Sequence, residues 1–281
     1  ISGSNSIGIY VKGNVFIIFY PSSIGNIHFH CYAMEGDKIV SEEDFEISVT
    51  TLSTGETSKI RILNNFDSRF YFVSTKSSNS GYNEASVGYV NVSDTRSDTI
   101  IKHIHSVASY STVNITASKV FEKDGKAFFL YSELEKSYKD VNLCVYDIES
   151  EYEISHNVSD PEVLPSGEPR RYLDMSGFVS GGILLAKINE NFFLLKYSLA
   201  TGEADRAGNI IELDNRFYDI GVMIMKENRV ARIGRYATWF MIDGETLMAG
   251  EDQKIAQSFD ENMGAIGMAK NSGKAGTAIA V

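Results

Sequence analysis

Two His-x-His pairs hold four of the five histidines in this 281-residue chain. His28 and His30 form one pair, and His103 and His105 form the other. On a β-strand, residues i and i+2 lie on the same face, so each pair presents two imidazoles together. Imidazole is a common ligand of transition metals. However, no Cys, Asp or Glu at ligand spacing completes either pair, so we predict no metal site and no cofactor, with these four histidines as weak candidates.

Catalytic motifs are sparse. The nucleophile elbow Gly-x-Ser-x-Gly, the Walker A motif and His-Glu-x-x-His do not occur in the sequence. Carboxylates are plentiful, but most lie at turn positions, where Asp caps its own backbone: Asp147, Asp174, Asp219 and Asp243. A glycosidase would need two carboxylates held about 5–10 Å apart. We therefore predict that the chain is not an enzyme, and keep a glycan-cleaving β-propeller as an alternative.

Aromatic residues are better candidates for binding. Tyrosines recur near loop-like segments: Tyr82, Tyr89, Tyr110, Tyr138, Tyr172, Tyr218 and Tyr236. A tyrosine ring stacks on the apolar face of a sugar, and its hydroxyl adds a hydrogen bond. Tyr82 and Tyr138 have polar neighbours and are expected to be exposed. Together with Tyr172 and the single Trp239, they are the predicted ligand-binding residues.

The elements that must position these residues are β-strands. Short runs rich in β-branched and aromatic residues are bounded by Gly, Asn, Asp or Ser. The best helical candidates are residues 41–46 and 254–261, and both are short. Turn, apolar strand, second strand and polar turn recur in about five units, spaced by roughly fifty residues, as in propeller blades.

These observations predict an all-β fold with a five-bladed β-propeller-like body at residues 1–260 and a short β-hairpin appendage at residues 261–281. The segments 128–131 and 192–195 are apolar on both faces, which suits strands covered by neighbouring blades. A β-sandwich or a fibre-type β-domain is the structural alternative, because irregular hairpins also suit those folds.

The carboxy-terminal segment has turn formers at residues 271–276 between two short strand-like runs. It resembles a signature of bacteriophage virion proteins, at these positions: Gly267, Met268, Ala269, Ala275, Gly276, Thr277, Ile279 and Val281. The resemblance implies a tail-fibre or receptor-binding component, located in the virion, that recognises a host-surface glycan or protein without covalent chemistry. It also implies a homotrimer that contacts other virion proteins. A structural baseplate or capsid component without a receptor, and a cellular propeller scaffold, are the alternatives.

Composition excludes some partners. The formal net charge is −11, which opposes binding of nucleic acid or anionic lipid through a broad electrostatic face. The sequence contains no apolar run of about 20 residues and no signal-peptide pattern, so we expect no membrane insertion. Because it begins with Ile1, we expect a fragment or a processed product. Cys31 and Cys144 lie in apolar strand-like runs and are expected to be buried free thiols.

Overall fold

The structure is a computed structural model, and the described residues are 7–22, 25–92, 100–133, 140–158, 173–179, 183–188, 191–197, 204–212, 222–226, 229–233, 236–243, 246–249 and 253–254. Beyond residue 173, side chains are described only for Leu195 and Tyr197. Within these ranges the chain forms strands, turns and irregular segments, arranged in five antiparallel sheets. No helix in them is long and apolar enough to cross a membrane.

The strands of the first three sheets are as follows. Sheet 1 contains β1 (Gly8–Lys12), β2 (Val15–Pro21), β3 (Asn26–Glu35) and β4 (Lys38–Ser48). Sheet 2 contains β5 (Thr57–Phe66), β6 (Arg69–Ser77), β7 (Asn83–Asn91) and β8 (Ile100–Ser109). Sheet 3 contains β9 (Ile115–Ala117), β10 (Phe121–Lys123), β11 (Lys126–Glu133), β12 (Asn142–Asp147) and β13 (Tyr152–Asn157).

The remaining two sheets follow the same order. Sheet 4 contains β14 (Leu173–Val179), β15 (Ile183–Ile188), β16 (Asn191–Tyr197) and β17 (Ala204–Glu212). Sheet 5 contains β18 (Val222–Lys226), β19 (Arg229–Ile233), β20 (Tyr236–Asp243), β21 (Thr246–Ala249) and β22 (Gln253–Lys254).

Each sheet is a meander in which consecutive strands pair with one another. In sheet 3, β9 and β10 both pair with β11, so one edge strand is interrupted at residues 118–120. In sheet 5, β21 and β22 both pair with β20 in the same way. Short turns join the hairpins where the sequence predicted them, for example at residues 13–14 and 36–37.

Contacts divide the chain into two units, which are Ile1–Ser159 with Ser166–Leu173, and Asp160–Pro165 with Asp174–Val281. Sheets 1 to 3 lie in the first unit. Sheets 4 and 5 lie in the second, apart from Leu173. The predicted appendage at residues 261–281 lies outside the described residues, so its boundary stays a prediction.

In the first unit, sheet 2 packs between sheets 1 and 3. Alternate residues of β6 enter two different cores. Phe70 and Phe72 pack against sheet 1, whereas Tyr71 and Val73 pack against sheet 3. The segment 128–131 of β11 is also buried along its whole length, as predicted. Three sheets packed in succession do not match a two-sheet sandwich, and the five successive meanders confirm the all-β, propeller-like prediction.

One predicted element is wrong. Residues 41–46 form part of strand β4 and not a helix. The acidic residues of this segment favour a helix by propensity, but Phe45, Ile47 and Val49 are buried at alternate positions. Burial with a period of two therefore outweighs local propensity, because tertiary packing supplies the larger free energy.

Candidate functional site

The first His-x-His pair lies on one face of β3, as predicted. Ile27 and Phe29 point into the core between sheets 1 and 2, so His28 and His30 project from the opposite face. Their ring centroids are 4.5 Å apart. The strand pleat alone therefore brings two imidazoles together.

Strand β4 places a carboxylate opposite each of these histidines. Glu46 pairs in register with His28, and Asp44 pairs with His30. Glu46 Oε1 is 3.2 Å from His28 Nδ1, and Asp44 Oδ1 is in close contact with His30 Nδ1. One donor atom from each of His28, His30 and Asp44 lies within 4.8 Å of the other two. The sequence offered no acid at ligand spacing for this pair, and the pairing of β3 with β4 is what brings Asp44 and Glu46 beside it.

Tyr20 on β2 covers the histidine pair. Its ring stacks on His28 with a centroid distance of 5.1 Å, and its hydroxyl lies 3.1 Å from His30 Nε2. His28 Nε2 is buried and has no hydrogen-bond partner among the described residues. Glu46 is held by the His28 ring and by Asn26 Nδ2 at 3.1 Å, and these hydrogen bonds lower the pKa of its carboxyl group.

The second His-x-His pair does not share a face, so that prediction is wrong. A bulge in β8 places both His103 and His105 opposite adjacent residues of β7, Gly88 and Val87, with Ile104 as the extra residue. His103 Nδ1 lies 2.9 Å from Ser86 Oγ, on the side of sheet 1. His103 is exposed, whereas His105 points to sheet 3, so the two rings lie on opposite sides of sheet 2.

His105 lies between two glutamates of sheet 3. Its Nδ1 is 2.8 Å from Glu153 Oε1, and its Nε2 is 3.0 Å from Glu133 Oε1. Burial by itself lowers the pKa of His105, but the hydrogen bonds to Glu133 and Glu153 outweigh it and raise the pKa to about 9. The ring also packs against Tyr131, with centroids 4.2 Å apart. His105 is therefore a charged link between sheets 2 and 3 at neutral pH.

An exposed aromatic pair lies at one end of sheet 2. Tyr82 is 38% exposed and Tyr110 is 80% exposed, and their ring centroids are 5.4 Å apart at an interplanar angle of 69°. The two rings meet edge to face and form a corner that is open to solvent. Tyr82 was predicted to be exposed, and the structure places it there.

Short hydrogen bonds fix the loops that carry this pair. Asn83 Nδ2 donates to the carbonyl oxygens of Gly81 and Ser111, each at 2.9 Å. The Ser78 amide donates to the Tyr82 carbonyl at 2.9 Å. The side chain of Asn83 thus ties the loop before β7 to the loop after β8, which keeps the backbone that carries the two tyrosines together.

The other sequence candidates have different outcomes. Tyr138 and Tyr172 lie outside the described residues. Trp239 lies on β20 opposite Ala231, and only its backbone is described. Asp147 accepts from Lys126 Nζ at 2.7 Å and from the Ser150 amide at 2.9 Å, and these bonds lower its carboxyl pKa. Asp147 thus caps a turn, as its position indicates.

Asp44, Glu46, Tyr20 and Tyr110 were not among the predicted site residues. A two-residue turn at 36–37 brings β3 and β4 into register. That register is the feature from which the positions of Asp44 and Glu46 beside the histidines could have been predicted. The register is hard to predict because the pairing shifts by one residue between Ala33 and Met34, and because the acidic residues of β4 favour a helix. Tyr110 belongs to the loop tyrosines, but its proximity to Tyr82 depends on the pairing of β7 with β8.

No known family matches the sequence, and no curated protein does either. The fold is similar to that of a protein from Lactobacillus plantarum, at 9% identity and a TM-score of 0.52, over 89% of this chain and 70% of that one. Two weaker similarities are to the lectin SapL1 in complex with alpha methyl fucoside and to the β-propeller domain of Cps50 (Swd1) from Myceliophteria thermophila. The SapL1 match has 8% identity and a TM-score of 0.45, over 89% and 80% of the two chains. The Cps50 match has 12% identity and a TM-score of 0.44, over 90% and 73%. At these identities the similarities concern the fold alone.

Proposed function

We propose that this chain is a non-catalytic receptor-binding component of a phage virion, and that it recognises a host-surface glycan through Tyr82 and Tyr110. The observation that carries the proposal is the exposed, fixed corner that the two rings form. The virion assignment is supported by the resemblance of the segment 267–281 to virion proteins. The two supports are independent, so each has its own test.

The corner suits a sugar ring. One tyrosine ring stacks on the apolar C–H face of a pyranose while the other contacts its edge. Neither hydroxyl has a hydrogen-bond partner within the described ranges, so both can bond to sugar hydroxyls. Because the loops are already fixed by Asn83, little conformational entropy is lost on binding. Single sites of this size bind weakly, and a trimer would gain affinity through avidity.

The binding test uses the purified chain on arrays of bacterial surface polysaccharides. We expect Tyr82→Ala and Tyr110→Ala each to weaken binding by about fivefold or more, as is usual for aromatic anchor residues. Tyr152→Ala is the matched control, because Tyr152 is 64% exposed but lies on β13, away from the corner. Wild-type protein that binds no polysaccharide, or variants that bind as well as wild type, would rule out this site. Release of cleaved saccharide would support the enzymatic alternative.

Two further observations test the virion assignment. Purified chain should block adsorption of the phage that encodes it, and the Tyr110→Ala variant should block less. Tail or capsid genes should flank the coding sequence. A chromosomal locus without such genes would contradict the virion assignment and favour a cellular scaffold.

A further inference from the structure

The cluster on the outer face of sheet 1 has the composition of a metal site. Two imidazoles and one carboxylate, from His28, His30 and Asp44, bring one donor atom each to within 4.8 Å of one another. Ligands at about 2.0–2.1 Å around a tetrahedral zinc ion are roughly 3.3 Å apart. Small side-chain rotations therefore bring all three donors to ligand distance.

We propose that His28, His30 and Asp44 form a binding site for one divalent transition-metal ion of the Zn²⁺ type, which joins β3 to the edge strand β4. Imidazole and carboxylate donors suit zinc and the neighbouring first-row ions. Three protein ligands leave a fourth position for water or for an external ligand.

The hydrogen bonds around the histidines match those of metal ligands. A metal-bound histidine usually donates its second ring N–H to a carboxylate or another acceptor, which fixes the ring. His28 has Glu46 at Nδ1, which leaves Nε2 as the donor atom, and that nitrogen is buried without a hydrogen-bond partner among the described residues. An unsatisfied buried polar atom costs about 1–3 kcal/mol, and a bound cation would satisfy it.

His30 has the reverse arrangement. Its Nε2 lies 3.1 Å from the Tyr20 hydroxyl, and its Nδ1 faces Asp44. With a metal ion on Nδ1, the ring proton would be on Nε2 and would be donated to the Tyr20 oxygen. In the proposed arrangement each ring therefore has one nitrogen next to a hydrogen-bonding partner, Glu46 or Tyr20, and the other nitrogen facing the ion. Glu46 and Tyr20 are the positioning residues of the site.

Electrostatics favour a cation here. Glu42, Asp44 and Glu46 alternate along β4, so all three lie on the face of His28 and His30, and all three are exposed. Their combined charge attracts a divalent ion to this face. The competing arrangement is a pair of protonated histidines bound to the two carboxylates, with no ion. The two arrangements differ in a measurable way, because only the first takes up metal.

The experiment titrates Zn²⁺ into untagged, chelator-treated chain by calorimetry, and Co²⁺ is used as a spectroscopic substitute. We expect one ion per chain with a Kd below about 10 µM. His28→Ala, His30→Ala and Asp44→Asn should each weaken binding by about 100-fold or more, and Glu46→Gln by about 10- to 100-fold. Wild-type chain should also gain thermal stability with Zn²⁺, because the ion binds only the folded site.

His103→Ala is the matched control, since His103 belongs to the other pair and lies against Ser86. It should bind Zn²⁺ as tightly as wild type. Circular dichroism without metal checks folding, and Asp44→Asn keeps the test valid if a histidine variant unfolds, because Asp44 is exposed. Wild-type chain that takes up no ion would overturn the proposal, as would an unchanged affinity in Asp44→Asn or a loss of binding in His103→Ala.

Discussion

At the scale of single residues, Glu122 is a buried carboxylate that accepts hydrogen bonds from two side chains of the neighbouring sheet. Its side chain is 5% exposed, and it accepts a two-pronged hydrogen bond from Arg69 of sheet 2, with 2.8 Å between Arg69 Nε and Oε1. The Tyr71 hydroxyl donates to the same Oε1 at 2.7 Å. The bonds to Glu122 raise the pKa of Arg69, and burial raises that of Tyr71. Sheets 2 and 3 therefore share a buried, fully paired charge.

Removing Glu122 should destabilise the protein strongly. Glu122→Ala leaves the Arg69 guanidinium partly buried without its partner, which typically costs about 3–5 kcal/mol. Urea denaturation should show a lower midpoint. The matched control is Glu151→Ala, which breaks the exposed pair between Lys102 and Glu151 and should change the midpoint very little. Equal losses in the two variants would show that Glu122 contributes no more than a surface charge.

His105 should make stability depend on pH at the alkaline side of neutrality. Its pKa in the folded state is raised to about 9, above the unfolded value of about 6.5. A raised folded pKa stabilises the protein fully below about pH 6.5, and this stabilisation disappears as the pH rises through about 9. Its size is on the order of 3 kcal/mol.

The measurement compares wild type with His105→Gln at pH 6 and at pH 10, in the presence of a chelator. The difference in free energy of unfolding between the two proteins should be largest at pH 6 and should narrow at pH 10. Glu133, Glu153 and Tyr131 face the ring, so the same comparison in Glu153→Gln should show a smaller pH effect. A difference that stays constant with pH would mean that His105 is not charged.

At the scale of elements, the bulge in β8 depends on Gly88. A Cβ added there would lie 2.3 Å from the Lys102 carbonyl oxygen and 3.0 Å from the Phe72 ring. The Lys102 backbone cannot move away from an added Cβ without breaking the pairing of β7 with β8. We expect Gly88→Ala to cost about 2–3 kcal/mol in urea denaturation, the upper part of the usual range for overpacking.

Gly125→Ala is the control for the glycine substitution itself. Gly125 has a positive φ of 74° in the turn before β11, but nothing lies within 4 Å of an added Cβ. The cost there is backbone strain of about 1 kcal/mol. If Gly88→Ala costs no more than Gly125→Ala, the close approach of β8 to Gly88 is not a structural requirement.

The sequence predicted a strand correctly where its residues followed a single pattern, either alternation or a continuous apolar run. β3 alternates His28, Phe29 and His30, so its two faces were evident, and the double burial of residues 128–131 followed from a continuous apolar run. β4 was not predicted, because its acids favour a helix and its buried residues begin only at Phe45. The bulge at Ile104 could not be predicted from the sequence of β8 alone. It depends on the close approach of β8 to Gly88 on β7, which is possible because Gly88 has no side chain.

For the candidate sites too, features within one strand could be predicted and contacts between strands could not. The residues that share a strand, such as His28 and His30, were found by counting positions. The contacts of His28 with Glu46 and of Tyr82 with Tyr110 depend on how two strands align, and the sequence specifies that alignment only through turn length and bulges. Cys31 and Cys144 are free, as predicted, although Cys31 is only partly buried.

At the scale of the whole molecule, the prediction is a homotrimer held together by residues 261–281, which lie outside the described residues. The strand-like runs at residues 265–269 and 277–281 are too short for stability alone, because an isolated two-stranded hairpin is marginal in water. Small residues such as Gly267, Ala269, Ala278 and Ala280 supply little apolar area, but they allow close backbone approach. A hairpin formed by these runs would therefore need partners, and the virion resemblance favours the same segment of two other chains.

Light scattering on the full chain and on a chain lacking residues 261–281 tests this assembly. The full chain should be a trimer, and the truncated chain should be a folded monomer whose circular dichroism keeps the β-sheet signal. Comparison over a range of protein concentrations separates a weak trimer from a monomer, because association follows mass action. A full chain that stays monomeric at high concentration contradicts the trimer. A truncated chain that stays trimeric moves the interface to the sheets of the body, where the negative net charge would oppose it.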